Sequence, residues 1–267
     1  MAQLTTYASD IPFPEGPVFD SHGTLFVCAR RAGYIARISG PGTGEYLVAT
    51  GGKPNGLAVD RLDRLYVADA TRREILIVES AGHIEVAVPT EYQNITLAGP
   101  NDLCFGPQGE LFFTDPGLSF EIADGSVYRF EEGHLQRLCT GMIFPNGLAI
   151  TADGQTLYFV ESDSAALLAI DAHGAPDQNP RRVADLGRGS LPDGMDWLGD
   201  DLVIALQGAG ELVRYTTAGD CAARITISDG TGPTNVVVHG GRCYISDDAS
   251  SSILECSIES LTAGGGD

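Results

Sequence analysis

One short cassette recurs six times along the 267 residues, and no other feature constrains the fold as tightly. Its copies begin at Pro14, Pro54, Pro100, Pro145, Pro192 and Pro233. The residue after each proline is Glu15, Asn55, Asn101, Asn146, Asp193 or Thr234, so successive copies stand 40 to 47 residues apart. About ten residues further on comes a second apolar element, such as Leu25-Phe26-Val27, Leu65-Tyr66-Val67 or Leu157-Tyr158-Phe159. Between the two lie Asp- and Gly-rich stretches such as Asp20-Ser21-His22-Gly23 and Ala152-Asp153-Gly154. Such residues supply positive φ or side-chain-to-backbone hydrogen bonds at tight turns, and the flanking apolar runs read as a hairpin. A third run follows in most units, as in Glu74–Val78, and a fourth in some, as in Leu135–Leu138.

A four-stranded unit of about 40–45 residues is the dimension of a propeller blade. The pattern therefore predicts an all-β, six-bladed β-propeller of four-stranded antiparallel blades, one domain over residues 1–267. No stretch carries a convincing helical period. An unpaired sheet edge invites aggregation, so the ring has to close. Gln3–Tyr7 is expected to complete the last blade beside Ile253–Cys256, with N- and C-terminal strands paired and 261–267 left as a frayed tail.

Sixteen basic residues against 36 acidic ones give a formal charge of −20. That charge repels a phosphate backbone, which argues against a nucleic-acid partner. No apolar stretch approaches the roughly 18–20 residues of a membrane helix, and the start lacks a basic and apolar leader. These features place the chain in the cytoplasm, without a membrane partner, as a monomer or weak homo-oligomer. The six cysteines form no C-x-x-C pair, and most sit in apolar runs, which predicts reduced and mostly buried thiols.

In a propeller the innermost strands line the central channel, so equivalent cassette positions converge near its mouth. A position that served folding alone would tolerate any good turn residue. Instead Glu15, Asn101, Asn146 and Asp193 offer two carboxylates and two amides, the oxygen set that hard divalent cations select. Asn55 reads as an ordinary turn residue. The five histidines are scattered, with no paired zinc spacing, and no serine sits in a G-x-S-x-G elbow.

On Glu15-Gly16-Pro17, Pro100-Asn101-Asp102-Leu103, Phe113-Thr114-Asp115-Pro116, Pro145-Asn146-Gly147-Leu148 and Pro192-Asp193-Gly194-Met195, the chain resembles the gluconolactonase, regucalcin and luciferin-regenerating enzyme family. The resemblance runs along essentially the whole chain. It implies one divalent metal ion held by Glu15, Asn146 and Asp193, with calcium the first choice and zinc, manganese or iron(II) alternatives. Asn101 would lie beside the metal and contact it, a water or substrate. Sugar-lactone members usually carry an arginine two residues before that asparagine, where this chain has Gly99.

The function expected is metal-assisted hydrolysis of a small lactone, with Asp193 as ligand and as candidate general base. A bound divalent ion polarises a carbonyl and stabilises developing negative charge. Loops after the second strands are expected to shape the pocket, which nominates Asp115, Ser119, Phe120 and Gln207 for substrate contact, along with Phe144. Arg30 is a candidate for the contact missing at Gly99. The rival readings are a phosphotriester hydrolase using the same metal and a non-catalytic calcium-binding propeller.

Overall fold

A computed structural model of the protein describes residues 3–79, 82–228 and 232–262. The cassette prolines open the innermost strands Pro14–Phe19, Pro54–Val59, Pro145–Ile150, Pro192–Leu198 and Pro233–His239. Proline suits the first residue of a strand, where no ladder donor is needed. In the third blade the inner strand is shorter, Leu103–Phe105, and begins beyond Pro100. Each inner strand pairs antiparallel with the second apolar element and then with the third and fourth runs, which gives six four-stranded blades.

Burial varies with position within the blade. Second strands such as Leu111–Asp115 are buried along their length, because neighbouring blades cover both faces. Outer strands such as Cys221–Thr226 are mostly exposed or half-buried. Six apolar clusters form the core, one in each gap between neighbouring blades. The third and fourth blades, for example, meet through Phe112, Val127, Leu138, Leu157 and Phe159.

The ring closes as the sequence predicts. Thr5–Ser9 pairs antiparallel with Ser252–Ser257, matching Thr5 to Glu255 and Thr6 to Leu254. Gly42–Thr43 adds a short parallel strand outside it. The expectation of a frayed tail from 261 is corrected in part. Glu259–Thr262 form a helical turn whose Leu261 is buried in the cluster between the fifth and sixth blades, while 263–267 lie outside the described residues. All six cysteines are free, with Cys28, Cys139, Cys243 and Cys256 buried, Cys104 half-buried and Cys221 exposed. Among the described residues no helix is long and apolar enough to cross a membrane.

Candidate active site

Five of the six residues that come directly after the cassette prolines meet in one cavity of about 220 Å³ at a mouth of the channel. Glu15, Asn55, Asn101, Asn146 and Asp193 are joined there by Ser162, Gln207 and Arg30. Phe13, Phe120, Phe144 and Leu191 supply its apolar walls. The sixth, Thr234, is fully buried and occupied elsewhere, donating to the Pro14 carbonyl at 2.8 Å.

Glycine at the next cassette position permits this convergence. A Cβ on Gly16, at φ 51°, would stand 2.5 Å from the Asn55 carbonyl oxygen, so only glycine lets these inner strands approach so closely. The ladder register also breaks between Glu15 and Val18, Pro145 and Leu148, and Pro192 and Met195. The same break occurs between Pro54 and Leu57 and between Pro233 and Asn235, so it is a feature of the cassette that re-aims the side chain after each of these prolines.

Hydrogen bonds fix the amides. Asn55 Nδ2 donates to Asn101 Oδ1 at 2.8 Å and to the Asn101 carbonyl at 3.1 Å. Asn146 Nδ2 donates to Ser162 Oγ at 3.2 Å, and that hydroxyl donates to the Pro192 carbonyl at 2.7 Å. These bonds orient the side-chain oxygens of Asn101 and Asn146.

Glu15 and Asp193 are 4% and 8% exposed. Burial pushes the Glu15 carboxyl well above the usual carboxylate range, and repulsion from Asp193 adds to it. Burial likewise raises Asp193, to about 8, with repulsion from Asp102 contributing and a hydrogen bond from Asn146 opposing. Arg30 opposes the rise in both. Asn55 Oδ1 is buried with no hydrogen-bond partner among the described residues. Two crowded buried carboxylates beside oriented amide oxygens suit a divalent cation, which would hold both carboxylates ionised. Among the described residues no three His, Cys, Asp or Glu side chains cluster as metal ligands. The donor set here is half amide, so such a cluster is not required.

The floor is built from the next cassette position. Four copies have glycine there, at Gly16, Gly56, Gly147 and Gly194, while the others have Asp102 and Asn235. Asn235 Nδ2 donates to Asp102 Oδ2 at 3.3 Å beneath the ring of donors. A Cβ on Gly194 would collide with the Asn235 side chain. The pair therefore fills space that the glycines vacate, and burial pushes Asp102 up to about 6.

The walls arise from the residues before the prolines. Phe13, Phe144 and Leu191 adopt φ of 56°, 59° and 45°. A bulky residue at positive φ costs on the order of 1–3 kcal/mol and concentrates at functional sites. These three precede the inner strands of the Glu15, Asn146 and Asp193 blades. Phe120 stacks on Phe144 with ring centroids 3.7 Å apart and planes at 9°. Arg30 lies over the Phe13 ring at 5.3 Å.

Of the residues nominated from sequence, Glu15, Asn101, Asn146, Asp193, Arg30, Phe120, Phe144 and Gln207 all line the cavity. Asp115 and Ser119 do not. Asp115 is buried and accepts backbone N–H groups of Ala98 at 2.7 Å, Gly99 at 3.0 Å and Gly117 at 3.3 Å. Its carboxylate holds these loop amides together and lies outside the cavity lining, away from the place expected for substrate contact. Ser119 is half-buried, and its hydroxyl accepts the Glu121 N–H. Asn55 corrects the opposite expectation, since it lines the site and orients Asn101. Phe13, Leu191 and Ser162 escape the sequence reading. The position before each proline is the available signal for the first two; nothing local marks Ser162. At Gly99 a Cβ would stand 3.0 Å from the Ala70 carbonyl oxygen, so any side chain there requires that backbone to give by a few tenths of an ångström.

Comparison with known proteins matches residues 13–245 to the SMP-30/Gluconolactonase/LRE-like region. A gluconolactonase of Zymomonas mobilis is 29% identical over 72% of this chain, and the match spans 64% of that relative's length. Diisopropyl-fluorophosphatase of Loligo vulgaris is 30% identical over 78% of this chain and 76% of its own. The solved gluconolactonase of Xanthomonas campestris superposes with a TM-score of 0.82 at 24% identity, over 96% of this chain and 89% of that one. The chain belongs to the SMP-30/gluconolactonase/LRE-like family.

Proposed function

We propose that this protein is a divalent-metal-dependent lactonase that opens a small lactone by hydrolysis. The observation carrying the proposal is the meeting of buried Glu15 and Asp193 with the oriented amides of Asn101 and Asn146 in one small cavity. Membership of a family with a relative named gluconolactonase supports it.

Glu15, Asn146 and Asp193 would hold the ion, with Asn101 alongside. Calcium fits this all-oxygen set, and zinc, manganese and iron(II) are the alternatives to test. When bound, a divalent ion supplies electrophilic activation of the carbonyl and lowers the pKa of water. Asp193 takes the proton that the attacking water loses as it adds to the lactone carbonyl. The ring C–O bond then breaks, and Asp193 returns that proton to the departing oxygen, leaving the hydroxy acid. Asn101 and Asn146 orient the carbonyl, while Ser162 and Asn55 keep those amides from rotating.

A second reading is phosphotriester hydrolysis at the same donors. The apolar walls of Phe13, Phe120, Phe144 and Leu191, and the Loligo vulgaris relative, favour it. Chelator-treated protein reloaded with one metal at a time, then assayed by pH-stat titration on γ- and δ-lactones and on a fluorophosphate, decides between them. Metal-restored lactone opening is expected to exceed phosphotriester turnover. Stoichiometric metal binding with neither activity above the spontaneous rate would leave a calcium-binding propeller and overturn the proposal.

A further inference from the structure

We propose that Arg30 is a specificity-determining residue that binds a carboxylate on the substrate, so that the preferred substrate is a compact lactone bearing an anionic substituent. The inference rests on the lactonase reading for the word lactone, and on this chain's own geometry for the carboxylate.

Arg30 comes directly after the second strand of the first blade, Leu25–Ala29, and lines the cavity with Glu15 and Asp193. Its backbone N–H donates to the Phe13 carbonyl at 3.0 Å, and its guanidinium lies over the Phe13 ring. The neighbouring Arg31 has a surface carboxylate partner, Asp248, at 3.4 Å. Arg30 has no such partner among the described residues, and its Nε is buried without a hydrogen bond. A buried guanidinium donor left unmatched is costly, so a ligand acceptor is the natural complement.

Charge narrows the class. Once a divalent cation neutralises Glu15 and Asp193, Arg30 is the remaining positive charge at the cavity wall. Arginine's planar fork matches a carboxylate through two parallel hydrogen bonds. The apolar walls, Phe120 stacked on Phe144 together with Phe13 and Leu191, offer no hydrogen-bond partners, which leaves few polar groups such as Gln207 for a ring of hydroxyls. A flat, sparsely hydroxylated ring with one carboxylate suits that surface better than a polyol.

The test uses metal-loaded protein and two lactones, 5-oxotetrahydrofuran-2-carboxylate and its carboxamide. The wild type should favour the carboxylate in kcat/KM by about tenfold or more, the scale of a charge-assisted pair. Arg30→Met should abolish the preference, and Arg30→Lys should keep part of it as a point charge. Binding of tetrahydrofuran-2-carboxylate, which has no lactone carbonyl, is measured by calorimetry in parallel. It should bind wild type and lose at least tenfold in affinity in Arg30→Met. If neither lactone is opened but this binding still depends on Arg30, the carboxylate site stands and the lactonase reading falls. Equal kcat/KM losses for both lactones in the Met and Lys variants, with unchanged binding of the ring carboxylate, would make Arg30 a charge-balancing residue and overturn the proposal.

Discussion

Replacing Glu15 with glutamine should move the stability of the metal-free and the metal-bound protein in opposite directions. In the metal-free fold Glu15 and Asp193 are both buried and both raised, each with a like charge nearby. The rise of Asp193 from 3.8 to about 8 sets a ceiling of about 6 kcal/mol for ionising it there. Removing the Glu15 charge returns only the share owed to repulsion and to desolvation of Glu15 itself, and we expect about 1–2 kcal/mol. For a domain this size that is roughly 2–8 °C in Tm. Linkage gives the sign. Raised carboxyl groups stabilise fully below their unfolded values and lose that contribution as pH rises through the folded ones. The gain from Glu15→Gln should therefore vanish near pH 4 and grow as pH rises from there. Calcium at a hundred times Kd should add about 2.7 kcal/mol to wild type, and Glu15→Gln should lose most of that increment. Thermal unfolding by circular dichroism at pH 4 and pH 9, with chelator and with calcium, reads all of these changes. A Glu15→Gln protein that melts lower than wild type without metal, yet keeps the full calcium increment, would refute the reasoning and make Glu15 a structural residue.

Three further outcomes are expected. Ser162→Ala frees the Asn146 amide and should reduce metal affinity by about 10–100-fold, the usual cost of losing an orienting partner, as read by calorimetric metal titration. Asp196 is half-buried and pushed up to about 6 by desolvation, while it accepts the N–H groups of Val238 and Trp197 at 2.7 Å. The Asp196 contribution should therefore fall as pH rises from about 4 to 6, by up to roughly 3 kcal/mol, and urea titrations of Asp196→Asn should show a pH slope shallower than wild type by that share. Deleting residues 1–9 strips the closing strand from Ser252–Ser257 and exposes an edge, so light scattering should show concentration-dependent association absent from the full chain.

Much of the architecture is legible because it is repetitive. Proline at the strand start, Asp and Gly at the hairpin, and apolar second strands recur with enough regularity to give the blade count and the closing strand. The donor ring is legible for the opposite reason, since Glu15, Asn146 and Asp193 sit at equivalent positions yet differ in charge. What lies beyond sequence is the use to which a side chain is put. Asp115 and Asp193 are both buried acids in conspicuous motifs, yet three backbone N–H groups claim Asp115 whereas Asp193 faces the cavity. Asn55 looks like any Asn-Gly turn until its amide is found against Asn101, 46 residues away. Ser162 acts across a blade boundary, tying Asn146 to the Pro192 carbonyl of the next blade. These are pairings between distant segments, which a local pattern cannot encode.

The central claim is that Glu15 and Asp193 together bind the cation on which lactone opening depends. It is tested most directly by titrating calcium into chelator-stripped wild type and Asp193→Asn while monitoring the opening of one lactone in a pH-stat. We expect wild-type activity to rise from the spontaneous rate and saturate at one equivalent of bound metal, and Asp193→Asn to stay at the spontaneous rate throughout. Lactone opening that persists in the stripped wild type, or that Asp193→Asn recovers in full, would contradict it.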